Sequence, residues 1–299
     1  MKLSFLFFGD QPDEKWELCK QMGIQYAIAK LSPEHTSIIE PWKYENMKQS
    51  KDRFTQQGFD LIGLEGDQFD MTRIKFGLEG RDEDLEHYRE MLLNMGRLGI
   101  NLLCYNFMAG IGWYRTHTKL ESRGGAWVTA FDSSKVPAVS PVTIPRQLSP
   151  QDLWDNYRYF LQSVLPVAEE AKVKLALHPD DPPVENLMGI PRIFVNANAI
   201  RIALALSASP FHGITFCQGT YTTMGEDLEK IAGEFRDKIF FLHIRDIEGD
   251  RNKFKETFHD NGQTNMPLMF KLYKDLQIDV PLRSDHVPGM AGEDNERPG

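Results

Sequence analysis

The sequence predicts an α/β fold, a single (β/α)8 barrel in which eight parallel strands close inside a ring of helices. Two observations predict it: eight short apolar runs of strand length, and segments of helical spacing between most of them. Such alternation calls for parallel strands joined by right-handed crossovers, and closing eight of them leaves no free edge. The 299 residues suit one domain, 1–299, because barrels run to about 250 residues or more as one unit. An open doubly wound sheet is the alternative. No Gly-x-Gly-x-x-Gly follows the first strand, however, where a dinucleotide fold places its phosphate loop.

Taken in order, the first run is Leu3–Phe8, which turns polar at Gly9-Asp10 and is too short for a signal-peptide core or a membrane span. Ile24–Ala29 and Phe59–Leu64 follow. Then Leu85, Tyr88, Leu92 and Met95 recur at three- and four-residue steps, one face of a helix. Asn101–Phe107 is the fourth strand. Residues 108–148 carry four glycines and three prolines with no sustained period. They read as a loop insertion after strand four, of the length usual for lids and binding segments. Ser149-Pro150-Gln151-Asp152 supplies an N-cap, a proline at the first helical position and an acid at the third. The helix it opens runs through Trp154, Tyr157, Leu161 and Val164, with a kink expected at Pro166. Lys174–Leu177, Ile214–Phe216, Ile239–Leu242 and Val280–Leu282 complete the eight. Only Val287–Gly299 remain after the last run. The repeat calls for one more helix, so the last helix is expected to be missing from this chain, and the protein to continue past Gly299.

Lys and Arg total 34 against 43 Asp and Glu, a net charge of −9, which provides no basic face for nucleic acid. Neither nucleic acid nor a membrane is an expected partner. Cys19, Cys104 and Cys217 cannot all pair, and so few cysteines in a chain of this size point to the cytoplasm.

In such a barrel the active site lies at the C-terminal ends of the strands. The fifth to eighth runs end, in turn, on His178, Cys217, His243 and, after Val280-Pro-Leu-Arg-Ser, Asp285 followed by His286. Singly, each is an ordinary hydrogen-bonding or small buried side chain. Jointly, four metal-competent groups at equivalent positions of successive units point to a metal site. Two imidazoles, a thiolate and a carboxylate suit Mn, Fe or Zn over Mg or Ca. A structural zinc site would draw Cys pairs from short knuckles instead. Asp180 and Asp181 either orient His178 or cap its loop. Arg283 either clamps a substrate carboxylate or pairs inside the barrel with a glutamate such as Glu65. Phe258-His-Asp-Asn-Gly-Gln-Thr264 packs polar residues into a turn before a helix.

The segments Leu175–Pro183, Gly189–Ile193, Phe216–Thr220, Phe241–Asp246, Phe258–Thr264 and Arg283–Pro288 closely resemble mannonate dehydratase, a family of xylose-isomerase-like TIM barrels. Cys104–Met108 and Trp113–Arg115 extend the likeness, which covers most of the chain. The resemblance implies a lyase using Mn²⁺, with Fe²⁺ or Zn²⁺ as alternatives. The reaction implied removes water from D-mannonate to give 2-dehydro-3-deoxy-D-gluconate in hexuronate (glucuronate) breakdown. It carries the metal-ligand role onto His178, Cys217, His243 and Asp285. Catalytic roles fall on His286, Arg283 and Asp285, and substrate contacts on His259, Asn106, Arg115 and Arg283. A small sugar acid and a second copy of the chain, as a dimer, are the implied partners. His286 is the expected proton donor to the leaving hydroxyl, since an unperturbed imidazole titrates near neutrality; the base stays open. Ala109-Gly-Ile-Gly112 departs from the family pattern of Pro and Asp before the Trp, which bears on the substrate. The other readings are a sugar isomerase or epimerase on the same barrel, a phosphodiesterase of abasic DNA, which the net charge disfavours, and a metal-bound sugar-acid binding protein.

Overall fold

The computed structural model describes residues 1–138, 140 and 142–289. Each of the eight apolar runs is a strand: β1 (Lys2–Phe8), β2 (Tyr26–Lys30), β3 (Asp60–Glu65), β4 (Leu102–Tyr105), β5 (Lys174–Leu177), β6 (His212–Cys217), β7 (Ile239–Ile244) and β8 (Pro281–Ser284). They form a closed barrel in which β1 pairs in parallel with both β2 and β8. Register sets the mouth. Glu65 lies beside Cys104, Cys217 beside His243, and His243 beside Arg283, so polar side chains from non-adjacent parts of the chain meet at one level. Because side chains alternate across a strand, Ala176 and Phe241 share the inward face with His178 and His243, two residues further on. They belong to a small apolar plug with Ile28, Leu102, Cys104 and Phe240 that fills the interior.

Seven helices make the crossovers: α1 (Glu14–Gln21), α2 (Tyr44–Gln56), α3 (Arg81–Arg97), α4 (Pro150–Ala171), α5 (Ala197–Ala205), α6 (Leu228–Phe235) and α7 (Met266–Asp275). Five start on a side-chain cap, from Asp13, Ser149, Asn196, Asp227 and Asn265. Ser149 and Asp152 complete a capping box. The apolar stripe of α3 is buried as its spacing predicts, and Tyr88 meets Phe160 of α4 edge-on at 5.0 Å. Pro166 does not end α4, which runs on to Ala171. It faces solvent, where water can satisfy the carbonyl that proline leaves unbonded. At the end of the pair Gly96 has to be glycine, because a Cβ there would stand 2.3 Å from the Ala171 carbonyl oxygen.

Residues 108–148 are more than a loop. His117–Glu121 and Trp127–Asp132 form a hairpin. Its second strand pairs with Lys253–Glu256, which pairs in turn with Ile247–Asp250 from the connection after β7, giving a four-stranded antiparallel sheet. The hairpin carries no clear apolar alternation because most of its first strand is exposed, and its partner lies over a hundred residues away in sequence. The expected absence of a closing helix concerns residues 290–299, outside the described residues. Among the described residues no helix is long and apolar enough to cross a membrane.

Candidate metal centre and active site

A cavity of about 660 Å³ opens at the C-terminal mouth, lined by residues from both halves of the barrel. On its β5–β8 side His178, Cys217, His243 and Asp285 each bring one donor atom to within 4.8 Å of the others. His178 donates Nδ1–H to the Pro179 carbonyl at 2.7 Å, which leaves Nε2 for the cluster. Cys217 ends β6, and its Sγ accepts from Thr220 Oγ1 at 3.1 Å. Burial and the Asp285 charge push this thiol up, but His178, His243 and Arg245 outweigh them and bring it down to about 6. Asp285 lies just past β8, its N–H on the Ile244 carbonyl and its Oδ1 held by Arg283 Nη2 at 2.8 Å. Burial opposes its ionisation, yet His286, Arg283 and His243 hold the carboxyl well below the usual range.

His243 tests whether this donor set fits an ion. It is fully buried, and neither ring nitrogen makes a hydrogen bond. Asp285 stands 3.5 Å from Nδ1 and Glu65 3.4 Å from Nε2, neither with hydrogen-bond geometry. A buried imidazole without a hydrogen bond is costly in a protein interior, and although burial and Arg283 oppose it, the Glu65 and Asp285 charges push His243 well above its ordinary value. Beside a thiol that ionises readily and an ionised carboxylate, it is what a divalent cation of the Mn, Fe or Zn type would complete. Glu65, Cys104 and His243 form a second close group. There Glu65 is gripped by Arg283, while burial pushes the Cys104 thiol up and Thr215 donates to its sulfur. That group supports His243 from behind.

Several expected substrate contacts lie elsewhere. Arg115 is fully buried, its guanidinium on Asp181 at 2.7 and 2.9 Å and on Glu256 at 2.7 Å. With its donors committed to these carboxylates and to the Tyr114 carbonyl it has none for a substrate, which corrects the expectation from the sequence. Arg245, two residues after His243, completes a ring with the same two acids. His259 donates Nε2–H to the Ile244 carbonyl at 2.8 Å and is not part of the cavity wall; it braces the end of β7. Arg283 takes the internal alternative, clamping Glu65 and Asp285, so it orients a ligand instead of gripping substrate. Asp180 caps its loop by accepting from Ile193 and Phe194 N–H at 2.9 Å, whereas Asp181 belongs to the arginine ring.

Asn106 and His286 do line the cavity. The imidazole of His286 stacks on Trp113, centroids 4.8 Å apart and planes 14° from parallel. Its backbone is in the left-handed region at φ +43°, a conformation that a non-glycine residue holds only when its surroundings impose it. Burial, aided by Arg245 and Arg115 and opposed by Asp285, drives His286 down to about 3, so the ring is neutral near pH 7. The expectation of an imidazole titrating near neutrality therefore does not hold for this environment. Sequence reasoning also missed Lys75 and Asp67, on the opposite wall. Lys75 sits between Ile74 and Phe76 in the short helix Thr72–Phe76, where only its burial gives it away. Arg245 had a signal in its period-two spacing from His243.

A profile of the family described as D-mannonate dehydratase (UxuA) matches residues 1–150 and 140–299. A mannonate dehydratase of Shouchella clausii is 32% identical over 96% of this chain and 88% of its own length. The crystal structure of mannonate dehydratase from Streptococcus suis serotype 2 superposes with a TM-score of 0.88 at 30% identity, covering 100% of this chain and 88% of that one. A xylose isomerase domain protein from Planctomyces limnophilus shares the barrel at 12% identity and a TM-score of 0.61, over 95% of this chain and 90% of that one. The chain belongs to the mannonate dehydratase family.

Proposed function

We propose that this mannonate dehydratase is metal-dependent and converts D-mannonate to 2-dehydro-3-deoxy-D-gluconate, in hexuronate breakdown in the cytoplasm. The observation that carries the metal dependence is the buried imidazole of His243, without a hydrogen bond, among three further donors. His178, Cys217, His243 and Asp285 would hold Mn²⁺, Fe²⁺ or Zn²⁺. Bound there, the ion supplies Lewis acidity toward the carboxylate and hydroxyl oxygens of a sugar acid.

The chain's own groups do the remaining work. Arg283 fixes Asp285, and the Pro179 carbonyl fixes the tautomer of His178. Trp113 holds the ring of His286 flat against the cavity wall. His286 lines the cavity, and its ring carries the C2 proton of the substrate to the C3 hydroxyl as that group leaves as water. The C2–C3 double bond formed in this step is an enol, which becomes the 2-keto product when C3 is protonated. In this reading one ring serves as base and then as acid. Three unpaired, buried cysteines support a reducing compartment.

Purified protein loaded separately with each ion and given D-mannonate tests the reading by NMR of the product. A 2-keto-3-deoxy acid is the expected result. Aldose–ketose interconversion, or dehydration that survives complete removal of metal, overturns it.

A further inference from the structure

Past the ends of β3 and β4 lies a polar cluster that no motif in the sequence marks. Asn106 follows β4, which adjoins β5 and His178, while Asp67 and Lys75 follow β3, four places from β7 in the ring of eight; the cluster shares one cavity with His178 and Asp285. Lys75 is its centre. Its side chain is 3% exposed, with Nζ 2.6 Å from Asp67 Oδ2 and 3.0 Å from Asn106 Oδ1. An ammonium carries three protons, and these two contacts leave one for the cavity. Asn106 Oδ1 also accepts from Met108 N–H at 3.1 Å, so its Nδ2 is left to donate. Asp67 is partly exposed and keeps its second oxygen as an acceptor.

The backbone holds Lys75 in place. Asn156 Nδ2 donates to the Lys75 carbonyl at 3.0 Å. The helix carrying it stops at Gly77, φ +65°, where a Cβ would come 2.4 Å from Asn156 Oδ1. Burying an ammonium costs several kcal/mol unless it is well paired, so its placement at a cavity wall with one donor uncommitted is informative. The lysine and the aspartate cancel in charge. A neutral pair of this kind, offering donors and an acceptor side by side, suits a hydroxyl, which both gives and takes a hydrogen bond. A second carboxylate would instead meet the Asp67 charge.

We infer that Asp67, Lys75 and Asn106 form a subsite for the hydroxyls at the end of the sugar acid remote from the metal, and that it selects substrates by chain length. This rests on the proposed reaction, with C2 and C3 placed between His286 and the metal ligands. A six-carbon aldonate then reaches the subsite, and a four-carbon one of the same C2 and C3 configuration does not.

The test is steady-state kinetics of wild type, Lys75→Met and Asp67→Asn on D-mannonate and on that four-carbon aldonate, each enzyme checked for equal bound metal. Loss of a hydrogen bond to a charged group predicts a roughly 10- to 100-fold rise in KM for D-mannonate. The same substitutions change KM for the short aldonate by no more than about twofold, and kcat on D-mannonate falls less than KM rises. Asp67→Asn is nearly isosteric at a partly exposed site, so it keeps the test open if Lys75→Met does not fold. An equal loss on both substrates, or none on either, overturns the subsite. Failure of the wild type to dehydrate D-mannonate overturns the reaction instead. In that case calorimetric binding of the two aldonates to wild type and variants decides the subsite by the same ratio.

Discussion

Two buried arginine–carboxylate groups stand side by side at the mouth of the barrel, and their chemistry differs although their residues are alike. In one, Arg115 and Arg245 share Asp181 and Glu256, two positive charges against two negative in a closed ring. In the other, Arg283 is shared by Glu65 and Asp285. With Cys217 beside them, three acidic groups face one guanidinium, and the difference is made up by two imidazoles: against burial, Cys217 pushes His178 up, and Glu65 and Asp285 push His243 well up. The closed ring needs nothing further. It ties the start of the insertion (Arg115), the loop after β5 (Asp181), the end of β7 (Arg245) and the small sheet (Glu256) into one body. A divalent cation bound in the open group would take over the charge that the imidazoles carry. The closed ring balances its acids on guanidiniums, which keep their charge, and the open group balances part of its own on imidazoles, which an ion can replace.

Breaking the ring has the largest expected effect. Arg115→Met leaves Asp181 and Glu256 sharing one guanidinium in a site that excludes water, and removing one partner of a buried pair costs about 3–5 kcal/mol. Denaturant unfolding should show that loss, while the folded fraction keeps its full complement of metal. Loss of metal with no loss of stability would show that the two groups are one.

Adding metal comes next. An ion that binds only the folded state adds about 2.7 kcal/mol at 100 times its Kd, so Mn²⁺ should raise the Tm of the wild type and of Arg115→Met alike. His243→Ala and Cys217→Ser should show no such rise and bind no stoichiometric metal by elemental analysis. Undiminished Mn in both variants would refute the site.

The barrel was legible in the sequence because its signal is local. Each strand is a short apolar run, and most crossovers show helical spacing or a cap, as at Ser149. The four candidate metal donors were legible for the same reason, since a strand end is a sequence position. What was not legible depends on which partner a side chain finds. Arg115 and Arg283 look alike as candidates for binding a sugar acid. Only the fold brings Asp181 and Glu256 to the one, and Glu65, 218 residues away, to the other. The hairpin within residues 108–148 escaped because its partner strand lies more than a hundred residues away. His286 sits where its strand end predicts, but burial and two nearby guanidiniums, neither visible locally, reverse the protonation state expected of it.

A smaller effect is expected from Arg283→Met, which sharpens the comparison because it removes a guanidinium that no metal touches. Residues that orient ligands from behind typically change metal affinity by 10- to 100-fold, about 1.4–2.7 kcal/mol. Competition against a chelator should show that weakening for Mn²⁺. An unchanged affinity would mean that Asp285 holds its orientation without Arg283.

The smallest effect belongs to Arg123 and Asp260, which join the tip of the hairpin to the loop after β7 through two contacts of 3.1 and 2.8 Å. In distance and in fork geometry this pair matches those of the closed ring. Both side chains are more than half exposed, however, so water and salt screen their attraction, and ordering two long side chains offsets what remains. Arg123→Ala should therefore leave Tm unresolved from wild type at physiological ionic strength, with no change in bound metal or in turnover. A clear drop in Tm that vanishes in 1 M salt would show that the hairpin is anchored at its tip. The ring at its base would then be only part of what holds the sheet to the barrel, and the contrast between closed and open networks would need a third member.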